Sequence, residues 1–215
     1  MIYLLSDIHA GETSAIDGLR RYFEIAGNDD ILIILGDVGA RFEDTDQNRE
    51  FDELFLSSTK KIAFLDGNHE NFAYINSFPE EDWSGGRVHR LTDNIVHLER
   101  GYVYEIEGKR FFTFGGCASS KIWREKGPWY PEESASKAEL LRAYSTLSSV
   151  KEGIDYVLTH KYETEGIGED EELLRLTEYI EKNVPYKHWY AGHWHEARER
   201  DEKHSFIFDA LVSLG

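Results

Sequence analysis

Along the first 65 residues, short apolar runs alternate with amphipathic stretches. Ile2–Leu5, Ile31–Leu35 and Ile62–Leu65 are unbroken apolar segments of strand length. Segments of that kind suit strands covered on both faces. Between the first two, Ser14–Ala26 sets Ile16, Leu19, Phe23 and Ala26 three or four positions apart, with Gly27 beyond. That spacing is one helix face with a stop after it. Asn48–Ser57 reads as a second helix. Three strand–loop–helix units in succession predict parallel strands joined by helical crossovers.

The middle of the chain has a different pattern. Ile95–Leu98, Tyr102–Ile106 and Arg110–Phe114, with Glu107-Gly108-Lys109 as a turn, predict an antiparallel meander. Glu132–Val150 predicts one long helix with Leu140, Leu141, Tyr144 and Leu147 as its apolar stripe. Ile154–Leu158 returns to a buried strand, Asp170–Asn183 to a helix, His188–Ala191 to a strand, and Ser205–Leu211 to a last strand. Ser77–His89 and Ser119–Glu133 read as loops, and the acidic run Glu163–Glu172 as a solvated loop leading into a helix N-terminus. With no repeat, low-complexity stretch or Pro/Ser-rich linker, the expectation is an α/β fold in one domain over residues 1–215.

The polar residues that follow the apolar runs carry the chemistry. They are Asp7-Ile8-His9, Gly36-Asp37, Gly67-Asn68-His69-Glu70, His160 after Val157-Leu158-Thr159, and Gly192-His193-Trp194-His195. Besides His69, they supply the carboxylates of Asp7 and Asp37, the amide oxygen of Asn68, and the imidazoles of His9, His160, His193 and His195. Such a set suits two adjacent divalent cations and, through them, phosphate ester hydrolysis. In a chain of this composition chance supplies about 0.6 Asp-x-His matches, but only about 0.02 Gly-Asn-His and about 0.03 Gly-His-x-His. The signal lies in the combination. Each motif follows a predicted strand, where open α/β sheets place their ligand sites. Asp7 and His9 stand two positions apart, which in an extended segment turns both to one side, and His193 and His195 repeat the device. Glu70 reads as loop support; His89, His97, His188 and His204 read as surface or core residues.

Composition narrows the partners. A net charge of −17, with Lys and Arg mostly in isolated pairs, opposes binding to extended nucleic acid and to anionic membranes. A small phosphorylated substrate at a metal-focused site remains compatible. No apolar run approaches the roughly 18 residues of a membrane span. The N-terminus lacks a basic region followed by an apolar stretch, so no cleaved signal peptide is expected. The single Cys117 cannot form an internal disulfide, which fits a reducing cytoplasm, and between Gly116 and Ala118 it reads as a small buried residue.

From Asp7 to His195 the order of motifs resembles the calcineurin-like metallophosphoesterase superfamily, in particular its small bacterial and phage-type members. The resemblance implies a four-layer α/β/β/α sandwich of two mixed sheets, with a dinuclear centre at their joint edge. It implies that Asp7, His9, Asp37 and His195 hold one ion, that Asp37, Asn68, His160 and His193 hold the other, and that Asp37 bridges. The ions would be divalent transition metals, Mn first, with Fe, Zn, Ni or Co as alternatives. Activity would be hydrolysis of a phosphomonoester or phosphodiester by a metal-bound hydroxide, with His69 as general acid.

Two positions depart from the protein-phosphatase branch of that superfamily. Ala40 stands where the branch has the Asp that orients the general-acid His, leaving Asp44, Asp46 or Asp66 as candidate partners of His69. Phe72 stands where it has an Arg, which argues against a Ser/Thr protein phosphatase. Arg41 and Arg124, the latter among Trp123, Trp129 and Tyr130, are candidate phosphate contacts. The competing readings are a nuclease of the same superfamily, which the charge opposes, and a non-catalytic scaffold with this fold, which the complete ligand set opposes.

Overall fold

The computed structural model describes residues 1–126, 129–164 and 170–215. Seven strands form one sheet: β1 (Ile2–Leu5), β2 (Ile31–Leu35), β3 (Lys61–Leu65), β4 (Glu80–Trp83), β5 (Gly86–Arg90), β6 (Ile95–Leu98) and β13 (Val212–Leu214), in the order β13-β1-β2-β3-β6-β5-β4. Six form the other: β7 (Tyr102–Ile106), β8 (Lys109–Phe114), β9 (Ile154–Thr159), β10 (Tyr186–Ala191), β11 (Arg198–Glu199) and β12 (His204–Phe206), in the order β11-β12-β10-β9-β8-β7. The helices are α1 (Ala15–Ile25), α2 (Asp46–Leu56), α3 (Phe72–Ile75), α4 (Lys121–Lys126), α5 (Lys137–Ser149) and α6 (Glu171–Asn183).

The apolar runs are unbroken because each central strand feeds two cores. Leu32 and Ile34 face a layer with Leu19, Tyr22, Phe51 and Phe55 of α1 and α2. Their neighbours Ile31, Ile33 and Leu35 face the second sheet, against Tyr104, Phe111 and Leu158. On its far side the second sheet packs Phe112, Val157 and Trp189 against Leu140 and Leu147 of α5 and Leu176 and Ile180 of α6. The result is helix, sheet, sheet, helix. β1, β2 and β3 pair in parallel, as the strand–loop–helix rhythm predicts.

Elsewhere the structure corrects the pattern reading. The meander does not exist as one unit: β7 and β8 pair antiparallel, but β6 belongs to the other sheet. Glu132–Val150 is a short 3-10 turn at Pro131–Glu133 followed by α5, because Ser136 and Glu139 form a reciprocal capping box inside the run. That shift exposes Leu141 to 71% and buries Ala143 with Leu140 and Leu147 instead. In α1, Tyr22 is buried while Ile16 and Phe23 are only partly so, because the Tyr22 hydroxyl reaches the carbonyls of Asp30 and Lys61. Residues 205–211 are not one strand but the end of β12 and a loop before β13.

Ser77–His89 holds the β4–β5 hairpin, closed by Ser84 and Gly85, both with positive φ. Two left-handed central residues make the tight turn whose twist matches paired strands. Of the acidic run, 165–169 lie outside the described residues, as do 127–128 of the Ser119–Glu133 segment. Glu163 is buried against Lys161 at 2.7 Å rather than solvated, while Asp170 caps α6. Among the described residues no helix is long and apolar enough to cross a membrane.

Candidate metal centre

The loops after β1, β2, β3, β9 and β10 meet where the carboxyl ends of the two sheets come together. Their backbone is unusual. Asp7, His9, Asp37, His193 and His195 all have left-handed φ, at 59°, 48°, 52°, 73° and 49°. Each such residue costs on the order of 1–3 kcal/mol and persists only when its surroundings dictate it. Here the loops dictate one another. Asp7 N donates to Gly36 O at 3.1 Å and His9 N to Asp37 O at 2.8 Å. Gly192 N donates to His160 O at 2.8 Å, and His193 N to both Asp7 oxygens at 2.9 and 3.1 Å. Asp7 and His9 therefore converge through alternating left- and right-handed backbone, with Ile8 at φ −73°, and not through the extended segment expected from their spacing. A Cβ at Gly67 would overlap the Asp37 carboxylate, so that close approach requires glycine.

The side chains form two groups around Asp37. Its Oδ2 lies 3.3 Å from His9 Nε2 and 3.4 Å from His160 Nε2. On the first side His9 Nε2 meets His195 Nε2 at 3.0 Å, with Asp7 Oδ1 3.5 Å from the latter. On the second, His160 Nε2 is 3.2 Å from His193 Nδ1 and 3.3 Å from Asn68 Oδ1. His160 Nδ1 donates to Leu35 O at 2.8 Å, which aims its Nε2 lone pair into the cluster. Asp7, Asp37 and His160 are fully buried, whereas His195 is open to solvent.

Electrostatics follow from this crowding. Burial opposes a charge on Asp37, but His160 and His9 hold its carboxyl far below the usual range. Burial and the neighbouring His160 push His193 down to about 3. Burial lowers His9, while a hydrogen bond with Asp7 raises His195. Imidazole nitrogens and carboxylate oxygens thus converge at 3.0–3.5 Å. A proton on His160 or His195 makes the contacts with Asp37 and Asp7 attractive, and divalent cations among the donors would take the place of such protons. The mixed N and O donors fit two divalent transition ions.

Supporting groups surround these donors. Glu70 is buried and accepts from Val38 N at 2.9 Å and Gly39 N at 3.2 Å, fastening the Asp37 loop; burial and Asp37 push its carboxyl up to about 8. Asp66 is turned away from His69. It is buried against Arg100, whose Nε donates to Oδ2 at 2.8 Å, and His97 Nε2 lies 3.2 Å from Oδ1. Burial opposes the Asp66 charge, but Arg100 and His97 hold it below the usual range. Asp44 and Asp46 pair with Arg49 at the surface. None of the three serves as partner of His69; its ring lies instead among His9, Trp123 and Phe42, at centroid distances of 4.9, 5.3 and 5.6 Å. A cavity of about 150 Å³ opens beside it, lined by His9, Glu12, Phe42, Glu43, His69 and Trp123 among others.

Arg41 and Arg124 do not line that cavity. Arg41 Nε faces Asp52 Oδ2 at 3.4 Å, and Arg124 donates to Ser119 O at 2.8 Å and lies over Trp129. Cys117 is buried as its neighbours suggest, but its thiol donates to Asn68 Oδ1 at 3.1 Å and its Sγ lies 3.6 Å from His193 Nδ1. Nothing in the sequence around Cys117 signals that contact.

The chain shares 27% identity over 155 residues with a glycine dehydrogenase (decarboxylating) from Pelagibacter ubique, which covers 68% of this chain and only 15% of that protein. It also aligns, at 17% identity and a TM-score of 0.46, with the crystal structure of a protein of unknown function from Aquifex aeolicus, over 98% of this chain and 89% of the other. The family model for calcineurin-like phosphoesterases matches residues 1–197, a span that takes in all five strand-end loops. With two mixed sheets between helical layers, this chain belongs to the calcineurin-like phosphoesterase family.

Proposed function

We propose that the protein hydrolyses a soluble phosphomonoester or phosphodiester at a dinuclear centre. Asp7, His9, Asp37 and His195 would hold one divalent ion, and Asp37, Asn68, His160 and His193 the other. The observation that carries this reading is the Asp37 carboxylate, with Oδ2 almost equally distant from His9 and His160. Two ions held there, Mn or another of Fe, Zn, Ni and Co, would supply Lewis acidity toward the phosphate oxygens and would lower the pKa of an attacking water.

The chain's own residues do the rest. Asn68 offers an oxygen without adding negative charge, and the Cys117 thiol holds that oxygen in place. Glu70 ties the Asp37 loop to the loop bearing Asn68 and His69. His69 protonates the departing oxygen, a role suited to imidazole near neutral pH. Phe42 and Trp123 flank that ring and orient it, and the cavity they border receives the leaving group. The glutamates at its rim and the net charge of −17 favour a small substrate over a long polyanion.

The test is hydrolysis of an aryl phosphate and a bis-aryl phosphate by Mn-loaded protein. Asp37→Asn is expected to lower turnover by about a thousandfold or more. No turnover on a broad phosphate panel, with Asp37→Asn indistinguishable from the parent, would end the proposal.

A further inference from the structure

A second group of metal-type donors lies at the opposite edge of the seven-stranded sheet. Glu80 on β4 is the register partner of His89 on β5, and His89 is the partner of His97 on β6. Residues directly opposite share a face, and Glu99, two beyond His97, follows the same side. This face carries an apolar helix contact over β1–β3 but a polar row over β4–β6. The ligand atoms of Glu80, His89 and Glu99 all lie within 4.8 Å of one another.

Three features separate this group from an ordinary surface acidic cluster. His89 is 8% exposed, and its Nδ1 donates to the Phe78 carbonyl at 2.8 Å. That bond fixes the ring and leaves Nε2 facing the two carboxylates, the outer-shell arrangement typical of a metal-bound imidazole. Glu99 Oε1 is buried and has no hydrogen-bond partner among the described residues, a costly state for a carboxylate oxygen. It stands 3.8 Å from His89 Nε2. That gap is too long for a hydrogen bond. A small inward shift would let both atoms ligate one ion at bond lengths of about 2.0–2.2 Å.

The second oxygen of each carboxylate is otherwise engaged: Glu80 Oε2 meets Arg87 at 2.9 Å and Glu99 Oε2 meets Arg142 at 3.5 Å. A cavity of about 620 Å³ that includes all three residues in its lining gives an ion access and room for water ligands.

We propose that Glu80, His89 and Glu99 form a binding site for a single divalent transition ion, separate from the centre around Asp37. One nitrogen and two carboxylate oxygens, completed by water, suit Zn in tetrahedral coordination. The ion staples the β4–β5 hairpin to the end of β6. His89 stacks on His97, with centroids 5.8 Å apart and planes at 24°, and His97 reaches Asp66 beneath the Gly67–Asn68 loop. The staple therefore backs the strand that leads into the catalytic loops.

The experiment is a Zn titration of chelator-stripped protein, reading bound metal by mass spectrometry and affinity by calorimetry. Wild type is compared with Glu99→Gln, with Glu80→Gln, and with Asp37→Asn. Glu99→Gln is expected to bind one ion fewer per chain. Glu80→Gln, altered at a half-exposed side chain that is no threat to folding, is expected to bind that ion about tenfold or more weakly. In the Asp37→Asn background, Zn should still raise Tm, and adding Glu99→Gln should make that rise smaller. Unchanged stoichiometry and affinity in both glutamate variants would overturn the site.

Discussion

The two halves of the seven-stranded sheet place their polar groups in opposite ways. Over β1, β2 and β3 both faces are covered, by α1 and α2 on one side and by the second sheet on the other. A doubly covered parallel strand has no room for charge, so the donors are displaced past the strand ends onto left-handed loops. Over β4, β5 and β6 one face borders a cavity, and Glu80, His89, His97 and Glu99 stand on the strands and at the end of β6. Here pairing is reinforced across strands by Arg87 with Glu80 and Arg90 with Glu81. The polar cluster of the first half depends on loop strain held by neighbouring loops; that of the second depends on strand register.

The largest effect that probes this contrast belongs to the loops. His69→Asn is expected to lower turnover by about 10²–10⁴-fold on an alkyl phosphate. The loss should shrink on a nitrophenyl phosphate, whose leaving group departs without a proton. Steady-state rates on both substrates check this, and equal losses would remove His69 from the general-acid role.

Next comes the buried Asp66–Arg100 pair between the halves. Asp66→Asn leaves Arg100 buried beside a neutral group and should cost about 3–5 kcal/mol in urea unfolding. The half-exposed Arg90–Glu81 pair sets the scale for the edge: Glu81→Gln should cost about 1 kcal/mol or less. Comparable losses at both positions would break the distinction between a constrained half and a tolerant one. An effect as small as that of Glu81→Gln tests register. Gly85→Ala, at φ +94°, should cost about 1 kcal/mol without changing hydrolysis.

The parallel half and its site motifs were legible because both obey short-range rules. Ile31–Leu35 can hardly be anything but a doubly covered strand, and Asp37 or Asn68 just beyond such a strand lies where ligands bind. The edge was not legible. Glu80-Glu81-Asp82 has poor strand propensity by itself and becomes a strand only through Arg87 and Arg90 opposite it. Its turn signal, Ser84-Gly85, is masked by polar neighbours. The split of β6 from β7 is a choice between sheets that alternation cannot express. Cys117 touches Asn68 through contacts 49 residues apart, beyond any local pattern. The spacing of Asp7 and His9 implies convergence along an extended segment, whereas the loop conformation is imposed by Gly36, Asp37 and Val38 next to it.

The dinuclear centre is tested most directly by anomalous diffraction from crystals of Mn-loaded protein. Two peaks about 3.5–4 Å apart are expected, one on each side of Asp37 Oδ2, with His9 and His195 around the first and Asn68, His160 and His193 around the second. A single peak, or two that do not share Asp37, would contradict it.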